Sequence, residues 1–234
     1  ITDMNINMDF SDILASTLHD TKNSLGMLFN TLEDMIGQCR DQSCDLYTRF
    51  YLLQYEIKRL NHSLIRLLTL YKADNSHLLI NIDYHCVSEF IEDIIIQNKP
   101  ILNSKGIRIE HECPENLFRA FDRGLIEGVL DNILNNAFRY TKDRVKITAR
   151  EENDYLALSI EDNGAGYPDH MLVSNMPETH RFKKKVDFST GSTGLGLYFS
   201  FLVAGCHKNR NRQGYISIVN GGTLGGGVFT IFIP

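Results

Sequence analysis

Apolar residues recur along the first third of the chain in alternating steps of four and three. Leu14, Leu18, Thr21, Leu25, Leu28, Leu32 and Met35 follow that alternation once Thr21 is admitted as a member. Leu46, Phe50, Leu53, Ile57, Leu60, Leu64, Leu67 and Tyr71 keep it without a gap. A period of this kind is a heptad seam, so the two runs predict two amphipathic helices. Between them, Gly37 to Asp45 contains Gly, Asp and Ser, and the helices are expected to fold back as an antiparallel hairpin. A lone hairpin leaves much of its seam in water, and a second copy covers it most simply, as a four-helix bundle. A homodimer is the expectation that follows.

From about residue 76 the pattern changes. Val87 to Leu102 and Arg123 to Phe138 carry the spacing of amphipathic helices. Short β-rich runs stand at Ile107 to Glu110, Val145 to Thr148, Tyr155 to Ile160 and Val228 to Ile233. Helices alternating with strands predict an α/β sandwich, helices over a mixed sheet. Glycine marks the same division: only Gly26 and Gly37 fall in the first 105 residues, and twelve of the seventeen lie after Asn163. Two domains are expected, a helical hairpin over 1–75 and an α/β domain over 76–234.

Composition narrows the function more than the fold. With a formal net charge of −5 and scattered Lys and Arg, nucleic acid is not an expected partner. Cys39, Cys44, Cys86, Cys113 and Cys206 form no Cys-x-x-Cys pair, and their odd number argues against a disulfide framework and for a reducing compartment, the cytoplasm. No stretch approaches the roughly 18 apolar residues of a membrane span, so membrane attachment is expected only through a segment outside these residues.

Candidate chemistry begins on the first helix, at His19-Asp20-Thr21-Lys22-Asn23. His19 follows the seam residue Leu18 and so projects from the flank of the bundle. Most exposed helical histidines are surface residues, yet a neutral imidazole is a competent nucleophile toward phosphorus. A neighbouring carboxylate, here Asp20, fixes its tautomer. Asn23 lies one turn on, on the same face. In the second region Asn132 and Asn136 are one turn apart on the helix from Arg123, with Arg139 nearly another turn beyond. An Asn carbonyl suits hard Mg that stays bound to phosphate and water. After the strand ending at Ile160 comes Glu161-Asp162-Asn163-Gly164-Ala165-Gly166. A carboxylate there accepts from an exocyclic amine, and the glycines admit backbone close to a flat ring; the plain alternative is an Asn-Gly turn. Gly191-Ser192-Thr193-Gly194-Leu195-Gly196-Leu197 opens an apolar run, and glycines at a helix start expose N–H groups to phosphate. It lacks the ending of a P-loop and the spacing of a dinucleotide fingerprint.

Taken in order, these stretches resemble the histidine kinase family: a phosphoacceptor helix, then Asn-x-x-x-Asn, Asp-x-Gly-x-Gly, Gly-x-Gly and a terminal Gly-rich strand at Gly226-Gly227-Val228-Phe229. The resemblance spans about residues 10 to 234. It implies a dimerisation and histidine-phosphotransfer hairpin followed by an ATP-binding α/β sandwich of the type shared by histidine kinases, gyrase and Hsp90. It further implies His19, beside Asp20, as phosphoacceptor, Asn23 in dephosphorylating the partner, and Asn136 on Mg. Asn132, Arg139, Tyr140, Asp162, Gly164, Gly166, Thr193, Gly194, Leu195 and Gly196 would line the ATP site, with Asp162 on adenine. The implied partner is the receiver domain of a response regulator, phosphorylated on aspartate. Departures are visible: Asp20 and Ser24 stand where the commonest acceptor motif has Glu and Pro, and no Phe-rich box is recognisable in Met176 to Ser189, where Phe182 or Phe188 would have to serve. His207 to Gln213 is basic and polar where a short glycine turn is expected. The alternatives are a phosphotransfer or scaffold protein that no longer uses ATP, and an ATPase of the same fold outside signalling. The latter class places a general-base Glu where Asn132 stands.

Overall fold

The computed structural model describes residues 21, 23, 25–33, 35, 53, 54, 57, 60–65, 67, 69, 79–173 and 195–234. The chain divides into two compact units, 1–77 and 78–234. In the first, every described residue is helical, in two segments that coincide with the heptad runs. Exposure there follows the heptad. Leu28 and Met35 are exposed, as are Leu53, Leu60 and Leu67, each seven residues from the next, while Leu25, Leu32, Ile57 and Leu64 are half-buried. His19, Asp20 and the turn Gly37 to Asp45 lie outside the described residues.

The second unit runs β1 (Asp83–Cys86), α1 (Val87–Lys105), β2 (Arg108–Glu112), β3 (Phe118–Phe121), α2 (Arg123–Tyr140), β4 (Arg144–Glu152), β5 (Tyr155–Asp162), α3 (Leu195–Cys206), β6 (Lys208–Asn209), β7 (Arg212–Gln213), β8 (Tyr215–Asn220) and β9 (Gly227–Ile233). Five strands form one sheet in the order β2-β4-β5-β9-β8. The β2–β4 pair is parallel and the rest antiparallel. β1 pairs with β3 and β6 with β7 as separate two-stranded ladders. The mixed sheet and both long helices agree with the sequence; α1 and α2 each run two or three residues past the expected ends. β1, β3, β8 and the β6–β7 hairpin are additions to it.

Period-two burial explains the layering. Val145, Ile147, Leu156, Leu158, Ile160, Ile216, Ile218, Phe229 and Ile231 all point to one face and are buried. The helices cover that face with Phe90, Ile94, Ile126, Leu130, Ile133 and Phe199. The opposite face carries a row of hydroxyls across four strands, Thr148, Ser159, Thr230 and Ser217, with Ser159 Oγ and Thr230 Oγ1 2.9 Å apart. The helix ends have local causes. Gly106, with φ of 65°, closes α1 in the left-handed conformation that glycine adopts without a Cβ penalty. Asp122 caps α2, its Oδ1 accepting from the Leu125 N–H at 2.9 Å.

Phe90 is fully buried, with its ring centroid 5.2 Å from that of Phe121 and the Arg123 guanidinium 5.1 Å from it. Phe90→Ala is expected to cost about 3–5 kcal/mol, read as a lower midpoint of urea unfolding followed by circular dichroism.

Candidate functional site

The site is built where α2 meets the ends of β5 and β9 and the start of α3. On α2, Ile126, Val129, Leu130, Ile133, Leu134 and Ala137 are buried against the sheet, which turns Asn132, Asn136 and Arg139 to an adjoining face. Exposure rises along that face. Asn132 is buried, Asn136 half-buried, and Arg139 and Tyr140 exposed, the Arg139 guanidinium 5.6 Å from the Tyr140 ring. Gly196 packs against Asn132: a Cβ there would run into the Asn132 carboxamide, so any other residue would force that buried side chain to move. Thr193, Gly194 and the Leu195 side chain lie outside the described residues.

Asp162 ends β5 and is almost fully buried. Its Oδ1 accepts from the Gly164 N–H at 2.7 Å and the Gly227 N–H at 3.4 Å, and its backbone carbonyl accepts from Gly226 at 3.1 Å. Among the described residues both hydrogen bonds to the carboxylate fall on Oδ1, and none on Oδ2. Gly164 sits directly on the carbonyl of Tyr140, where a Cβ would clash, so the carboxylate turn and the end of α2 are in backbone contact. Burial, and then the charge of Asp162, push the Tyr167 phenol well above its usual range, so it stays protonated beside the carboxylate.

Three side chains to which sequence reasoning gave no role of their own hold this arrangement. Asn163 Oδ1 accepts from Thr141 Oγ1 at 2.7 Å and from the N–H groups of Lys142, Asp143 and Arg144 at 3.2, 3.2 and 3.0 Å, so one oxygen gathers the whole α2–β4 turn. Its Nδ2 donates to Asp143 Oδ1 at 2.8 Å, and this bond, with Arg108, holds the Asp143 carboxyl below the usual range. Asn220 grips Tyr167 at both backbone groups, accepting from its N–H at 2.6 Å and donating to its carbonyl at 2.8 Å. Glu161 Oε2 accepts from the N–H and Oγ1 of Thr223 at 2.8 and 3.0 Å, which ties the glycine-rich β8–β9 turn to β5. The Asn163-Gly164 pair was legible as a turn; that the turn and the binding motif are one object was not.

The comparisons with known proteins bear on this geometry. Residues 121–234 match the family described as histidine kinase-, DNA gyrase B-, and HSP90-like ATPase. The chain is 22% identical over 201 residues to sensor protein SrrB of Staphylococcus aureus, covering 85% of this chain and 34% of that protein. It thus spans about a third of the length of the curated relatives it matches. Among solved structures it resembles histidine kinase AdeS of Acinetobacter baumannii, with a TM-score of 0.57 at 21% identity over 90% of this chain and 95% of that one. Full-length ShkA in complex with AMPPNP aligns with a TM-score of 0.61 at 18% identity, covering 95% of this chain and 45% of that one. The catalytic domain of histidine kinase ThkA gives 0.54 at 23% over 66% of this chain and 95% of that one. The fold is therefore the histidine kinase, gyrase and Hsp90 type of α/β sandwich, and the resemblance to a sensor histidine kinase catalytic core is borne out. Among the described residues no helix is long and apolar enough to cross a membrane.

Asn163→Ala removes the four bonds to Oδ1 and the Nδ2 bond to Asp143, leaving the Thr141 Oγ1 bond to the Arg144 carbonyl and the Asn163 N–H bond to the same carbonyl across the α2–β4 turn. It is expected to cost about 1–3 kcal/mol in urea unfolding while leaving the far-ultraviolet spectrum unchanged. An unaltered midpoint would show that water replaces the carboxamide there.

Proposed function

We propose that the chain is the phosphorylating core of a two-component sensor kinase, acting on the cytoplasmic side: it uses Mg-ATP to phosphorylate its own His19 and passes the phosphoryl group to an aspartate of a response-regulator receiver domain. The observation that carries the reading is the convergence of the three motifs on one helix, with Gly196 seated on Asn132 and the Asp162 turn seated on Tyr140.

In this reading Asp162 Oδ2 accepts the exocyclic amine of adenine, with Gly164 and Gly166 letting backbone approach the ring. Asn132, Arg139 and Tyr140 lie toward the phosphates, as do the N–H groups of Leu195 and Gly196 that open α3 at the positive end of its dipole; Thr193 and Gly194 belong to the same motif in sequence. The donor set suits Mg. Asn136 offers one neutral oxygen, and no group of three or more His, Cys, Asp or Glu among the described residues holds a metal by itself. Such a site fits a cation that keeps phosphate oxygens and waters as its remaining ligands. Mg, when bound, offsets the charge of the triphosphate. Asp20 holds the His19 imidazole in the tautomer whose free nitrogen attacks the γ-phosphorus, and ADP leaves as that bond forms. Asn23, helical and exposed, orients water during dephosphorylation of the regulator. The exposed heptad positions Leu53, Leu60 and Leu67 support a homodimer, since fully burying a Leu stabilises by roughly 1.5–3 kcal/mol. A scaffold without ATP use is disfavoured, because such relatives lose the Asn or glycine motifs and this chain keeps both.

Incubation with γ-labelled ATP and Mg is expected to leave acid-labile, alkali-stable label on the parent and none on His19→Gln, which still binds ATP. Asn23→Ala is expected to keep that label and to slow loss of phosphate from the regulator about 10–100-fold. Label on His19→Gln would overturn the assignment.

A further inference from the structure

The segment from His207 to Gln213, which the site chemistry leaves over, begins with a buried histidine. Both of its ring nitrogens are committed. Nε2 accepts from the backbone N–H of Asp122 at 3.0 Å, so the ring is neutral and Nδ1 carries the proton, which it donates to the Val203 carbonyl at 2.8 Å. Burial holds the imidazole below its usual range, in keeping with that neutral form. Asp122 is the N-cap of α2, with Oδ1 on Leu125 and Oδ2 accepting from the Asn81 N–H at 2.8 Å. His207 therefore joins the end of α3 to the first residue of the helix that carries Asn132 and Asn136.

Three contacts fix how those helices lie. Gly196 rests on Asn132, the Phe199 ring lies over Gly128, and His207 meets Asp122, so α3 runs antiparallel to α2. The ten residues from 122 to 132 rise about 15 Å and the eleven from 196 to 207 about 16 Å, so the two lie in step along this length. The directional contacts from the β6–β7 hairpin and Gly214, to the Gly205 and His207 carbonyls, fall at the same far end of α3. The helix Leu-Gly-Leu-Tyr-Phe-Ser-Phe-Leu-Val-Ala-Gly-Cys is apolar on every side, and Ser200 Oγ is turned inward to the Gly196 carbonyl at 3.0 Å. Apolar packing is non-directional and admits small slides. At the binding end the contact residue is a glycine, which has no side chain to lock the position.

We propose that His207 is a positioning residue for nucleotide binding: by pinning the far end of α3 to Asp122, it sets the height at which Gly196 and its N–H meet Asn132. The proposal rests on the ATP reading above. Gln213, whose Nε2 donates to the Gly205 carbonyl at 2.6 Å, and Gly214, whose N–H donates to the His207 carbonyl at 2.8 Å, hold the β6–β7 hairpin against the same helix end.

The test compares His207→Leu, which fills the volume without the directional bonds, with His207→Gln, which returns an acceptor. Mg-ATP affinity is measured by calorimetry on the full chain, at a temperature where circular dichroism shows each variant folded. His207→Leu is expected to bind about tenfold more weakly and His207→Gln within about twofold of the parent. In the parent, the 15N resonance of His207 Nε2, assigned by its loss in His207→Gln, is expected to shift when ATP is added. Should His207→Leu fail to fold, the glutamine variant and the resonance decide. Parent-like affinity in a folded His207→Leu, a folded His207→Gln about tenfold weaker than the parent, or an unmoved resonance would overturn the tether. A parent that binds no ATP would instead overturn the ATP reading, and the tether with it.

Discussion

A buried carboxylate at the end of a central strand is the constraint around which the second unit is organised. Asp162 is nearly inaccessible, and a charge in that position is tolerated only if it is hydrogen-bonded. The N–H groups of Gly164 and Gly227 supply those bonds from segments more than sixty residues apart in sequence. For both backbones to reach one oxygen, the turn after β5 and the turn before β9 must each come close without side chains. The glycines of both turns follow from that requirement. Gly164 then presses on the last carbonyl of α2, so the same turn that satisfies the carboxylate also locates the helix bearing Asn132 and Asn136.

From that point the rest of the site is a set of clasps between elements. Asn163 gathers the turn leaving α2, Asn220 holds Tyr167, Glu161 holds the β8–β9 turn, and His207 holds the far end of α3. Each clasp is a short polar side chain answering backbone groups that the sheet and helices leave unpaired at their ends. The apolar layers supply most of the stability, and the polar clasps supply the geometry.

The parts of this arrangement that repeat were legible in the sequence. The heptads of the first unit follow from periodicity alone, and so do the apolar faces of Val87–Lys105 and Arg123–Tyr140, where burial acts at every turn. The strands from Arg144 and Tyr155 announced themselves by alternation. β1 and β3, reading Asp-Tyr-His-Cys and Phe-Arg-Ala-Phe, are four residues each and have no clean alternation, since they pair only with one another away from the main sheet. β8 rests on just two buried isoleucines, Ile216 and Ile218, too few for a period to register. Asp162, Asn132 and Gly196 were legible as members of motifs, but their mutual contacts were not, because these are set by how α3 lies along α2. His207 shows the limit most clearly. It stands in a polar stretch with no pattern, and its importance comes from Asp122, eighty-five residues earlier.

The central claim of the proposed function is that Asp162 Oδ2, which accepts no hydrogen bond among the described residues, reads an exocyclic amine. The most direct measurement is competition between ATP and inosine triphosphate, which has a carbonyl in place of that amine, for the parent protein in the presence of Mg. The account predicts that ATP binds about 10–100-fold more tightly, the cost of leaving a buried carboxylate oxygen facing another acceptor. Equal affinities for the two nucleotides would contradict it.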